Sequence, residues 1–322
     1  MKLAIVSPCY NESEVLPASV KRLTDLMNDL IAKQKISQDS FILFVNDGSH
    51  DNTWELITRF FTTNPYVRGI NLSANMGHQQ AIMAGMMTIK DRCDAVITID
   101  ADLQDDLAAI EEMIDRHAEG YDIVYGVKVS RCADPFLKRH AALTFYKLQQ
   151  RLGVKSVYNH ADFRLLSRCA LEQLSHFKER NLYLRGIIPL LGHKSTTVDD
   201  VISPRVAGHS KYTLCKMLSL AVDGITSFST KPITLIIGVG FFFMFISLLM
   251  TIYVVYSYCK HLTVPGWASL MLSMWFIGSV ILFAIGIVGQ YIGKIYIEVK
   301  NRPLYHIDTF LYDEGDEKKN QK

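Results

Sequence analysis

The sequence predicts an α/β protein: a mostly parallel sheet covered by helices on both faces, followed by a C-terminal two-helix transmembrane hairpin. Three observations predict it. Apolar, β-rich runs alternate with helix-period segments through the first 130 residues. Each of the first four runs ends in a cluster of Asn, Asp, Ser or other polar residues. Two long stretches in the last third carry no charged residue at all.

The apolar runs are residues 3–7 (LAIVS), 41–45 (FILFV), 67–72, 95–99 (AVITI) and 122–125 (DIVY). They are nearly continuous rather than alternating, which marks strands buried on both faces and so a parallel sheet. Between them, residues 14–32, 54–61, 77–90 and 107–119 carry helical periodicity. There is no internal repeat.

Residues 233–258 and 264–293 are uncharged, and each exceeds the roughly 20 residues needed to cross a bilayer. Lys211, Lys216 and Lys231 precede the first stretch, and Lys294, Lys300 and Arg302 follow the second. The connection holds only Lys260 and His261, so both outer flanks are expected in the cytoplasm. The expected division is a soluble domain at 1–208, a juxtamembrane amphipathic helix at 209–231, two spans within 232–293 (about 233–258 and 266–292) and a cytoplasmic tail at 294–322. The juxtamembrane segment would lay Tyr212, Leu214, Leu218, Ala221, Ile225 and Phe228 against the headgroups. The tail ends in DEGDEKKNQK, a composition expected to be disordered.

Net charge is +2, without a basic stripe interleaved with aromatics, so nucleic acid is not an expected partner. Six cysteines form no C-x-x-C pair and read as free thiols of a reducing compartment. The apolar N-terminal run is too short for a signal peptide and reads as a first strand.

Open α/β sheets bind ligands beyond the carboxyl ends of their strands. Here those ends deliver Pro8-Cys-Tyr-Asn-Glu12, Asn46-Asp-Gly-Ser-His-Asp-Asn-Thr53, Ser73-Ala-Asn-Met-Gly77 and Asp100-Ala-Asp-Leu-Gln104. Such residues also serve as turn and cap groups, a reading evenly balanced for Ser49, Asp51 and Asn75. Neither a G-x-G-x-x-G nor a P-loop signature is present, so phosphates would need another positive partner. Asp100 and Asp102 could hold a hard divalent cation that also takes phosphate oxygens. In an extended segment, residues two apart face the same way, and Gln104 continues the row. Asp105 and Asp106 are expected to open the next helix as cap and dipole partners.

The segments SPCYNE, VNDGSHDNT, NMGHQQAIMAG and DADLQDD resemble the motifs of glycosyltransferase family 2, with its GT-A fold. ADFRLLSR, ERNLYLRGI, RVAGHSKYTLCKM, GITSFSTKP and GQYIGKIYIEVKNRP are similar to polyprenyl-phosphate glycosyltransferases, above all the bactoprenol glucosyltransferases of O-antigen modification. The resemblance implies that Pro8, Tyr10, Glu12, Asp47, Asp100, Ala101, Asp102 and Lys128 bind the nucleotide sugar. It implies Asp100, Asp102 and Gln104 as ligands of Mg2+ or Mn2+, and Asp162 as an acidic group near the reacting centre. Asp102, Asp162 and Arg205 are thereby the expected catalytic residues. Where the family usually carries proline, this chain has Asp106; it lies outside the metal row, so proline there is expected to be nearly silent.

The implied reaction is inverting transfer of a hexose, glucose from UDP-glucose above other sugars, to undecaprenyl phosphate at the bilayer. The acceptor phosphate needs cations, and the candidates are Arg139, Arg164, Arg185, Arg205 and Lys211; for Arg164 and Arg185 a structural ion pair is the competing reading. A phosphate monoester is already mostly a dianion at neutral pH, so Asp162 is expected to orient groups or organise cations more than to remove a proton. His78 could contact the nucleotide. Relatives imply a homotetramer. A processive polysaccharide synthase is disfavoured because the chain lacks Q-x-x-R-W, and the intact D-x-D-x-Q row argues against a non-catalytic scaffold.

Overall fold

The structure is a computed structural model that describes residues 1–128, 160–201 and 266–312, with scattered positions between 233 and 252. The strands are β1 (Leu3–Cys9), β2 (Phe41–Asn46), β3 (Val67–Leu72), β4 (Ala95–Thr98), β5 (Ile123–Lys128), β6 (His160–Ser167), β7 (Ser195–Asp200) and β8 (Ile307–Leu311). The helices are α1 (Leu16–Ala32), α2 (Thr53–Thr63), α3 (His78–Ile89), α4 (Leu107–Ala118), α5 (Arg168–Leu174), α6 (Leu184–Ile187) and α7 (Trp267–Lys300). A 3-10 turn, Ile188–Leu191, follows α6. Contacts divide the described chain into two compact units, one holding the sheet with α1–α6 and the other holding α7.

The sheet order is β7-β5-β6-β4-β1-β2-β3-β8. β4, β1, β2 and β3 run parallel, and β5 pairs parallel with β7. β6 runs antiparallel between β4 and β5, and β8 antiparallel along β3. Every residue of β1 and β2 is buried, as their unbroken apolar runs require. α1 closes one face with Leu16, Val20, Leu23, Met27 and Leu30, a helical stripe spaced by threes and fours. Chain order reverses at β1, which has β4 on one side and β2 on the other. That switch point is where an open sheet offers a crevice at its carboxyl edge.

Three strands were not anticipated. β6 inserts between β4 and β5. β7 (STTVDD) is a polar strand at the sheet's end, with little apolar signal. β8 belongs to the segment expected as a tail. It covers the free edge of β3, and beyond it Tyr312 packs beneath the guanidinium groups of Arg92 (4.5 Å) and Arg68 (5.3 Å) and edge-on to Phe41. The final residues, 313–322, lie outside the described residues.

α7 is longer than the stretch expected as the second span. The expected span ended near 292, but the helix runs on through Lys294 and Glu298 to Lys300. Its uncharged part, 267–293, is about 40 Å long at 1.5 Å per residue, enough to cross a bilayer. Its apolar side chains, among them Phe283, Leu282 and Ile292, are exposed. The described positions between Ile233 and Ile252 are all helical, but the first expected span as a whole lies outside the described residues, as does the juxtamembrane segment.

The carboxyl-edge loops are laced together. Asn11, at φ 52°, donates its N–H to Ser49 Oγ (2.9 Å), and its side-chain oxygen accepts from His50 N (2.8 Å). Glu12 N donates to Thr53 Oγ1, and Ser13 N to Asp51 Oδ2. Gly48, at φ 60°, lies so close to the next loop that a Cβ would sit 2.4 Å from Asn75 N and 2.5 Å from Ala74 C. Gly120 also has positive φ (90°), but a Cβ there meets nothing within 4 Å. Gly120→Ala should therefore cost about 1 kcal/mol for its backbone conformation alone, and Gly48→Ala about 3 kcal/mol or more. Thermal unfolding of the two variants checks this; equal costs would mean that the loop contact does not constrain the edge.

Candidate active site

The site is built from the loops that leave β1, β2, β3 and β4, joined by the middle of β6 and the start of α6. The segment after β4 is a turn rather than an extended strand end. Leu103 N bonds Asp100 O (3.1 Å), and Leu103 adopts φ 45°, a left-handed conformation that is costly for leucine. Period two nevertheless survives in the exposure pattern. Asp100, Asp102 and Gln104 are partly exposed, while Ala101, Leu103 and Asp105 are buried. The turn is pinned from three directions. Ile99 N donates to Val6 O (3.0 Å), Ser19 Oγ on α1 donates to Ala101 O (2.5 Å), and Asp106 N donates to Asp200 Oδ1 (2.8 Å) at the end of β7.

The five acids near this turn, counting Asp200, divide by environment. Asp100 and Asp102 reach the open side. Asp106 is the N-cap of α4, its carboxylate accepting from Ala108 N (2.9 Å), as expected of it. Asp105 is not a cap. It is buried, with Lys128 Nζ 3.6 Å away, and its carboxyl is pushed up to about 7, first by burial and then by the charge on Asp100. Asp106 N–H is also engaged, by Asp200, which removes the ground for expecting proline to be silent at 106.

Asp162 lies in β6 beside this turn. Its carboxylate takes Arg185 as a two-pronged partner (Nη2 3.0 Å, Nε 3.3 Å) and pairs with Arg164. His78 Nε2, at the start of α3, is 3.6 Å from Asp162 and 3.4 Å from Asp100. Burial alone would push the Asp162 carboxyl up; Arg185, His78 and Arg164 outweigh it and hold it well below the usual carboxylate range. His78 is drawn down by burial, but Asp162 and Asp100 raise it above its ordinary value. Gln79 Oε1 accepts from Leu184 N (2.8 Å), which ties the start of α3 to the helix carrying Arg185.

Several expected contacts are placed differently. Arg164 is fully buried in the sheet and paired with Asp162, so it is a structural ion pair rather than a surface for the acceptor phosphate. Pro8 is buried within β1, and Ala101 is buried with its carbonyl occupied by Ser19. Asp47 is buried; both its oxygens accept backbone N–H groups, from Met76 (2.7 Å) and Gly77 (3.0 Å), so it holds the loop that starts α3. Lys128 ends β5 beside Asp105. Tyr10 and Glu12 are partly exposed at the edge, Tyr10 lying edge-on to His50. Ser49 and Asp51 are loop-lacing groups. Burial pushes the Asp51 carboxyl up, but hydrogen bonds from Thr53 and Ser13 outweigh it and hold the group below its ordinary value. Arg139, Arg205 and Lys211 lie outside the described residues. Asp200 and Gln79 escaped sequence reading. Asp200 sits in a polar stretch with no motif, whereas Gln79 lies inside NMGHQQ, where its neighbour His78 had already drawn notice.

Asp100, Asp102 and Gln104 present only hard oxygen donors, on the accessible side of one short turn. That donor set suits Mg2+ or Mn2+ with coordination positions left for phosphate oxygens. Among the described residues no three His, Cys, Asp or Glu side chains are grouped so as to hold a metal ion.

Comparison with known proteins follows from this geometry. The family model for glycosyl transferase family 2 matches residues 4–175. A Bacillus subtilis (strain 168) protein described as uncharacterized glycosyltransferase YkoT is 49% identical, over 97% of this chain and 93% of that protein. The SfII prophage-derived bactoprenol glucosyl transferase of Shigella flexneri is 37% identical, over 95% of this chain and 97% of that one. Among solved structures, the mannosyltransferase PcManGT of Pyrobaculum calidifontis, in complex with GDP-Man and Mn2+, aligns with a TM-score of 0.44 at 14% identity, over 93% of this chain and 86% of that one. The match across the sheet domain and the likeness over nearly the whole chain make the protein a member of glycosyl transferase family 2, a glycosyltransferase whose sheet domain has the GT-A fold.

Proposed function

We propose that the protein transfers a hexose, glucose from UDP-glucose, to undecaprenyl phosphate with inversion at the anomeric carbon, on the cytoplasmic face of a bacterial inner membrane. The observation that carries this reading is one edge of the sheet. There the open Asp100–Asp102–Gln104 turn lies within reach of His78, and His78 in turn meets Asp162, the partner of Arg185. The names of the bactoprenol glucosyl transferases, similar along the whole chain, supply the sugar and the acceptor. The apolar, exposed length of α7 suits an enzyme whose acceptor is a lipid, and a second span at about 233–258 completes a hairpin with both flanks cytoplasmic. A homotetramer is part of the same reading.

In this reaction an acceptor phosphate oxygen bonds to the anomeric carbon. The bond from that carbon to the nucleoside diphosphate breaks, and its electron pair leaves with the diphosphate. A bound Mg2+ or Mn2+ would neutralise charge on the leaving diphosphate. Asp100, Asp102 and Gln104 are the residues to hold it. Tyr10 and Glu12 line the nucleotide side, and Asp47 shapes that side by fixing the Met76–Gly77 turn. Asp162, held ionised by its cations, is a weak base. Its role is to fix Arg185, which remains 30% exposed and faces incoming phosphate as a preorganised fork. Arg139, Arg205 and Lys211 are further cations for the acceptor.

Incubating the full-length protein in membranes with undecaprenyl phosphate and a panel of labelled nucleotide sugars, with and without EDTA, tests this reading. Labelled lipid from UDP-glucose that disappears with EDTA is expected, and Asp102→Ala should abolish it. Absence of labelled lipid from every donor would sink the reading, while label from another sugar alone would move the donor assignment. Asp162→Asn should slow transfer by about 100-fold at pH 6 and pH 8.5 alike, because the wild-type carboxylate is already ionised across that range. Recovery of the variant at the higher pH would return Asp162 to the role of a proton acceptor.

A further inference from the structure

Asp200 is fully buried at the last position of β7, opposite Lys128 in the sheet register. One of its oxygens accepts the Asp106 N–H at 2.8 Å; the other is buried without a hydrogen-bond partner among the described residues. A buried, half-satisfied carboxylate is a costly way to end a strand, since desolvation is repaid only where every acceptor is filled. Its one hydrogen bond goes to the far end of the turn that carries Asp100, Asp102 and Gln104. That turn contains a left-handed Leu103, so its shape depends on outside anchors. Val6 and Ser19 hold its near half, and Asp200 holds the end beyond Gln104.

We propose that Asp200 is a positioning residue for the metal-holding turn, acting through the Asp106 N–H to keep Asp102 and Gln104 in register with Asp100. The proposal rests on the metal-dependent reading above. It makes no claim that Asp200 touches metal or substrate. Its effect is on how well three oxygens on a strained turn are held for a cation.

The backbone offers a clean probe. Asp106 has φ −75°, which proline accepts, so Asp106→Pro deletes the N–H without forcing the local backbone. Asp106→Ala deletes only the cap carboxylate and keeps the N–H. Mn2+ binding to the full-length protein without donor, read by electron paramagnetic resonance, is the measurement, with KM for UDP-glucose as a second readout. Asp200→Ala and Asp106→Pro should each weaken Mn2+ binding about 10-fold. Asp106→Ala should stay within about 2-fold, and Asp200→Asn, which keeps an oxygen acceptor, should recover most of the loss. The combination of Asp200→Ala with Asp106→Pro should be no worse than either alone, as expected for two ends of one bond.

Unchanged Mn2+ affinity in both Asp200→Ala and Asp106→Pro, with only a lower melting temperature, would overturn the proposal. So would fully additive losses in the combined variant. Should Asp200→Ala fail to fold, Asp106→Pro against Asp106→Ala decides by itself. Failure of the wild type to bind Mn2+ would instead strike the metal-dependent reading, and this proposal would fall with it.

Discussion

The site depends on one buried carboxylate and the cations gathered around it. Arg164 and Arg185 keep Asp162 ionised inside the sheet domain, and the fully buried Arg164 would be a stranded charge without it. The group fixes three elements against each other: β6 through Asp162 and Arg164, α6 through Arg185, and α3 through His78. Thr98 Oγ1, at the end of β4, donates to the Asp162 carbonyl and adds a fourth. Because His78 also meets Asp100, the interior ion network and the open turn form one electrostatic unit. Removing either partner of such a unit leaves a stranded charge, so its parts change together rather than singly.

The acids around residues 100–106 show how burial assigns different work to one residue type. Asp100 and Asp102 face outward and can meet a cation. Asp106 caps a helix. Asp105 and Asp200 are folded inward, with Lys128 beside Asp105, and form the rear of the turn. Cation-facing and scaffold groups are interleaved along seven positions, and the switch between them follows from which side of the turn each side chain leaves.

Much of this was legible in the chain. β1 to β4 and their carboxyl-edge clusters could be read because continuous apolar runs have no other reading in an alternating α/β pattern. The D-x-D-x-Q row could be read because alternate side chains share a side, although the backbone that achieves it is a turn with a left-handed leucine rather than a strand. β7 and β8 were hidden for a physical reason. STTVDD and IDTFL lie at the two ends of the sheet, where packing asks for little apolar surface. The roles of Asp47 and Asp200 were hidden because a polar side chain spends its hydrogen bonds on whatever the fold brings near, whereas the ion pair of Arg164 had been the competing reading of that residue. Pairings such as Asp47 with Met76 N and Asp106 N with Asp200 are set by topology, not by spacing.

The position of β8 bears on the order in which the chain matures. The open edge of β3 is complete once residue 72 has been made, but its partner strand ends at residue 311. Everything between, including the apolar length of α7, is synthesised first. An unpaired strand edge therefore waits through the whole period in which the apolar helix is made. Only then can the antiparallel pairing close and Tyr312 settle between Arg68 and Arg92. β8 thus acts as a closing latch: the sheet is completed only after the long apolar helix has been made, and an interrupted chain is left with an edge open to capture.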